Sequence, residues 1–82
     1  STQENTFTNL SIYPNPAKTF VNIYSENKIS KIKLYNIIGK KVLETKTLIN
    51  KRLDISNLNK GVYFLKVYNT KNKIATHKLI IN

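Results

Sequence analysis

The sequence predicts an all-β protein, a small seven-stranded antiparallel β-sandwich of the immunoglobulin or fibronectin type. Short stretches of alternating apolar and polar residues recur along the 82 residues, with turn signals about every 8 to 12 positions, the spacing of a sandwich or small barrel. No stretch of useful length carries a helical period. In "LNKGVY", Leu58 precedes Tyr63 by five residues with Gly61 between them. That arrangement resembles a tyrosine corner, in which the phenol packs inward and its hydroxyl bonds backbone a few residues upstream. The corner favours the sandwich over the barrel.

The first strand is expected over Phe7 to Tyr13, with Tyr13 buried by its context. "YPNP" then breaks it. Pro14 and Pro16 each fix φ, lack an N–H, and push Tyr13 and Asn15 toward extended geometry, so this block makes a rigid corner that ends one strand and frees another to start near Thr19. The second strand, Phe20 to Tyr24, sets Val21 and Ile23 on one face. The third, Ile29 to Tyr35, alternates Ile32 and Leu34 with Lys31 and Lys33, giving one apolar face and one lysine face. "NIIGK" follows, placing Gly39 where a tight connection needs φ > 0, and "KVLETKT" returns antiparallel as the fourth strand. "KRLDI" forms a short fifth strand, and "GVYFLKVYN" a strong sixth with Tyr63, Leu65 and Val67 on one face. "KIATHKLIIN" is the seventh, expected at a sheet edge. In "DISN", Asp54, Ser56 and Asn57 read as turn chemistry, short polar side chains bonding nearby backbone.

Two regions are expected: a flexible linker over residues 1–9 and one folded domain over residues 10–82. A domain of this size buries only about 60 to 65% of the surface of its unfolded chain. With no Cys, neither disulfides nor thiolate metal sites supplement that thin core. The chain has no Met and opens on the polar "STQENTFTN", so it is expected to be a piece of a longer polypeptide, with any export signal upstream or of an unusual kind.

Fourteen Lys and Arg against four Asp and Glu give a net charge of +10. Such a balance invites a nucleic-acid reading. Against it, thirteen of the fourteen are Lys, dispersed from Lys18 to Lys78, and Arg52 alone has the planar fork suited to bidentate phosphate contacts. Lys, Asn and Ile fill 36 of 82 positions, a composition bias rather than a motif. Catalysis has little material: Glu4, Glu26, Glu44 and Asp54 are isolated, and His77 is the single histidine. A general acid/base pair or metal site needs several such groups in one pocket, so no enzyme activity, cofactor or metal is expected. Tyr24, Tyr35 and Tyr68, if exposed together, would instead make a platform for sugars or bases.

Read together, "YPNP" (13–16), "KIKLYNIIGKKV" (31–42), "LDISNLNKGVYFLKV" (53–67) and "HKLII" (77–81) resemble the C-terminal sorting domain, type A, of the type IX (Por) secretion system. The resemblance runs over about residues 10 to 82, and its four pieces come in the family's order. It implies a seven-stranded sandwich, carried at the C-terminus of proteins of Bacteroidetes-type bacteria, that directs its cargo from the periplasm across the outer membrane. A sortase-like peptidase then removes the domain, and the cargo stays on the cell surface or passes into the medium. The implied partners are the outer-membrane translocation machinery, that peptidase and the upstream cargo domain, with no nucleic acid and no direct membrane insertion. By position, the family's proline-bracketed turn falls on Pro14, Asn15 and Pro16, its hairpin glycine on Gly39, its glycine-tyrosine pair on Gly61 and Tyr63, and its late lysine on Lys78. Where many relatives carry a terminal charge, this chain has Asn82. The alternative is a carbohydrate-binding or adhesive β-sandwich of a secreted enzyme; a nucleic-acid-binding barrel is the third reading.

Overall fold

The structure, a computed structural model, describes residues 10–71 and 73–82. Seven strands form: β1 (Ser11–Tyr13), β2 (Phe20–Tyr24), β3 (Ile29–Asn36), β4 (Lys41–Thr45), β5 (Arg52–Asp54), β6 (Gly61–Asn69) and β7 (Ile74–Ile81). They pair as a three-stranded sheet, order β1-β2-β5, and a four-stranded sheet, order β4-β3-β6-β7, with every strand pair antiparallel. The all-β sandwich is therefore as expected, and alternation is its cause. Val21 and Ile23 from one sheet face Ile32, Leu34, Leu65, Val67 and Leu79 from the other, all at most 1% exposed. Ile55, Leu53, Tyr63, Ile81 and Ala17 complete the core.

Two expectations need correction. Tyr13 is 53% exposed, not buried. β1 is an edge strand with its inward position at Ile12, which packs on the core, so period 2 turns Tyr13 outward. Tyr35 and Tyr68, considered for an exposed platform, are half-buried because flanking lysines lie over their rings. Phe7, Glu4 and the proposed linker, residues 1–9, lie outside the described residues.

Asparagines shape the hairpin loops of the larger sheet. In the β3–β4 loop, Asn36 Oδ1 accepts from the backbone N–H of Ile38 (3.1 Å) and Lys40 (2.9 Å), and Gly39 takes φ +89°. The β6–β7 loop repeats the device: Asn69 Oδ1 accepts from Lys71 N–H (2.8 Å) and Lys73 N–H (3.0 Å). Both stretches read Asn, three residues, Lys. At "INKR", Arg52 N–H donates to the Ile49 carbonyl at 3.0 Å across a turn in which Asn50 and Lys51 both have positive φ, 55° and 60°.

Candidate functional site

The proline corner leaves β1 in the smaller sheet and crosses to β7 in the larger one. Both peptide bonds preceding the prolines, Tyr13–Pro14 and Asn15–Pro16, are cis. Beyond them, Ala17 makes a parallel bridge with Ile81: Ala17 N–H donates to the Ile80 carbonyl, and Asn82 N–H donates to the Ala17 carbonyl, each at 2.7 Å. One step earlier the side chain of Asn15 acts as a surrogate strand. Its Nδ2 donates to the Lys78 carbonyl at 2.9 Å and its Oδ1 accepts from Ile80 N–H at 3.0 Å. A carboxamide suits this task because it offers a donor and an acceptor side by side, as a peptide group does. The corner thus stitches one side of the sandwich and covers the outer edge of β7 from Lys78 to Asn82.

Beyond that cover β7 stays open. Ile80 turns its N–H to the corner, so by alternation Thr76 and Ile74 turn their backbone groups to the same outer side, where no partner stands among the described residues. The Lys78 side chain is exposed at the boundary between covered and open edge. The seventh strand is therefore a sheet edge, with its C-terminal half capped.

Gly61 and Tyr63 lie one strand inward, opposite Ile81 and Leu79. Gly61 takes φ +152°, a backbone conformation that side-chain-bearing residues rarely adopt, while the space beside it is open: an added Cβ would meet nothing nearer than Tyr63 Cε1 at 4.0 Å. Tyr63 is 7% exposed and its hydroxyl donates to the Asn59 carbonyl at 2.7 Å. This is the corner geometry, ring inward and hydroxyl bonded to backbone upstream. The structure therefore brings Pro14, Asn15, Pro16 and Lys78 together and sets Gly61 and Tyr63 beside them. Gly39 stands apart in the β3–β4 loop, with nothing within 4 Å of an added Cβ.

Sequence reasoning missed the Asn15 clamp. Its partners are 63 and 65 residues away, so no local pattern announces them; the one available signal is an amide side chain held between two prolines. It missed also an apolar groove of about 590 Å³ between β4 and β5, lined in part by Phe20, Leu43, Leu48 and Leu53, on the side of the sandwich away from the corner. Among the described residues no three His, Asp or Glu side chains converge as a metal site would require. Asp54 serves a turn: its Oδ1 accepts from the Ser56 hydroxyl (2.6 Å) and N–H (2.9 Å), and these bonds, the hydroxyl's first, hold its carboxyl below the usual range. Tyr24 lies on β2 in the smaller sheet under Lys51, whereas Tyr35 and Tyr68 are on the larger sheet, so the three tyrosines form no common platform.

Fold and site together define an all-β module marked by a proline corner pinned to its last strand. The family model described as the secretion system C-terminal sorting domain matches residues 11–82, and the chain belongs to that family. It is a secretion signal. It is also similar to Beta-agarase D of Zobellia galactanivorans, 32% identical over 73 residues, which is 89% of this chain and 15% of that protein. The chain thus spans a small fraction of this relative's length. Among solved structures it resembles CopC from Methylosinus trichosporium OB3b, with TM-score 0.51, 20% identity, and coverage of 93% of this chain and 89% of that one. At that identity the likeness concerns the fold alone. A sorting domain is not itself catalytic.

Proposed function

We propose that the domain sits at the C-terminus of a larger protein and directs that cargo from the periplasm across the outer membrane through the type IX translocation machinery. A sortase-like peptidase then removes it, and the cargo remains on the cell surface or enters the medium. The observation that carries this reading is the family match over residues 11–82, which takes in all seven strands. The corner and β7 are the part read by the machinery. An exposed strand edge offers backbone groups for strand addition, and Lys78 projects a charge beside it. In this division of labour Gly39, Gly61 and Tyr63 shape the fold, Pro14, Asn15 and Pro16 hold β7 in place, and Lys78 marks the recognition edge. The relationship to Beta-agarase D suits a carbohydrate-active cargo.

The test is removal. Deleting residues 10–82 from the parent protein should strand the cargo in the periplasm, read by cell fractionation and immunoblot. Continued appearance of the cargo on the surface or in the medium would overturn the proposal.

A further inference from the structure

We infer that the outer face of the four-stranded sheet docks an acidic protein segment, one that brings carboxylates to Lys31, Lys33, Lys66 and Lys78 and apolar side chains to Phe64 and Ile74. This goes beyond the secretion reading and does not depend on it: the face adjoins the β7 edge at Ile74 and Lys78, but its binding is measured on the chain itself, without export. Alternation with the buried Ile32, Leu34, Leu65, Val67 and Leu79 puts these residues on the solvent side. Strand register then lays them in rows: Lys31 beside Tyr68 and Ile74; Glu44 beside Lys33, Lys66 and Thr76; Lys41 beside Tyr35, Phe64 and Lys78.

Lys33 and Lys66 are direct partners on the two central strands. Like charges directly opposite destabilise a sheet pair, a poor arrangement for a thin-cored domain unless something binds there. The cations are also held in position. Lys31 Nζ lies 4.8 Å and Lys33 Nζ 5.4 Å from the Tyr68 ring centroid, and Lys66 Nζ lies 5.4 Å from that of Tyr35. Such cation–π contacts restrict the long side chains before a partner arrives, which lowers the ordering cost of binding. Phe64 and Ile74, 37% and 46% exposed, add an apolar strip.

The face already shows what it does to a carboxylate. Glu44 is held below the usual carboxyl range first by its hydrogen bond to Lys41, and the charges of Lys33 and Lys31 push the same way. A protein carboxylate fits better than a nucleic acid. Tyr35 and Tyr68 have their rings under lysines and are half-buried, which leaves little face for base stacking, and Arg52 is on the other sheet over Phe20.

The experiment is fluorescence anisotropy of the 82-residue chain with a labelled synthetic peptide alternating Glu and Asp with Leu and Phe. A single-stranded DNA oligonucleotide and heparin serve as competitors. Binding should weaken steadily with added salt. Lys33→Gln with Lys66→Gln should weaken it about tenfold, and Lys78→Gln alone about threefold, as loss of steering and pairing charges does. A pair of equal net charge off the face, Lys18→Gln with Lys28→Gln, should change it less than about twofold. Removing the Lys33–Lys66 repulsion should not lower the melting temperature, and if it does, Lys78→Gln decides the matter. No binding at low salt, equal loss in both double variants, or displacement of the peptide by DNA or heparin at lower concentration than by unlabelled peptide would each overturn the inference.

Discussion

Asn15 is exposed, yet its carboxamide holds two backbone groups of a strand more than sixty residues away. Asn15→Ala should lower stability by about 1 kcal/mol, the net worth of such hydrogen bonds, as read by urea midpoint; an unchanged midpoint would show that the Ala17 bridge suffices to hold the corner to β7. Tyr63 and Lys78 separate fold from signal. Tyr63→Ala should cost about 3 to 5 kcal/mol by leaving a cavity, and Tyr63→Phe about 0.5 to 1.5 kcal/mol by losing the bond to Asn59. Lys78→Ala, with an exposed side chain, should shift stability by less than about 0.5 kcal/mol, so a loss of secretion there reflects recognition. If Lys78→Ala unfolds the domain in a denaturant melt, that assignment is wrong. Asp54 gives the pH dependence. Its carboxyl is depressed in the folded state by Ser56, so its stabilising contribution is complete above the ordinary carboxyl pKa, about 4, and is lost as pH falls through the lower folded value. Thermal melts from pH 5 to 2.5 should show a shallower acid decline in Asp54→Asn than in the parent chain. Tyr63 and Asp54 were legible in the sequence because both contacts are local; the Asn15 contact was not, because it depends on which strand folds back against the corner.

Strand pattern was the most legible level. β2 and β6 occupy the expected residues, because runs such as Val21 and Ile23, or Tyr63, Leu65 and Val67, satisfy period 2 without ambiguity. The pairing of β5 with β2, and of β7 with β6 on one side and Ala17 on the other, was not readable, since alternation tells a strand which face to bury and not which neighbour to take. The loops of the larger sheet carry a prediction of their own. Asn69 is 4% exposed and holds the N–H groups of Lys71 and Lys73, so Asn69→Ala leaves partly buried donors unpaired and should cost about 1 to 3 kcal/mol. Asn36→Ala exposes its orphaned groups to water at the loop and should cost about 0.5 to 1 kcal/mol. Equal denaturation midpoints for the two variants would contradict this ranking. Two hairpins share one loop device, although only one glycine, Gly39, is present in either loop.

At the scale of the molecule, a core of a dozen buried apolar residues among those described holds two sheets, in a chain without cysteine to crosslink them. The paired strands of that sandwich begin at Ser11, and the sequence before it, "STQENTFTN", has Phe7 as its one large apolar residue. A cut after Tyr13 would sever β1 from the corner, and polar termini are where proteolysis concentrates, so processing should fall within or upstream of residues 1–9; N-terminal sequencing of the released domain checks this, and a principal cut after Tyr13 would contradict it. The corner, Gly61 and Tyr63 were legible as local motifs and β7 was expected at a sheet edge, but that the corner caps the C-terminal half of that edge emerges only from the assembled sandwich. The most direct measurement fuses residues 1–82 to an inert periplasmic reporter and follows its distribution between periplasm, cell surface and medium, in a host with the type IX system and in the same host lacking its outer-membrane translocon. The account predicts export of the reporter in the first host and periplasmic retention in the second. A reporter that stays in the periplasm of both, or leaves both equally, would contradict it.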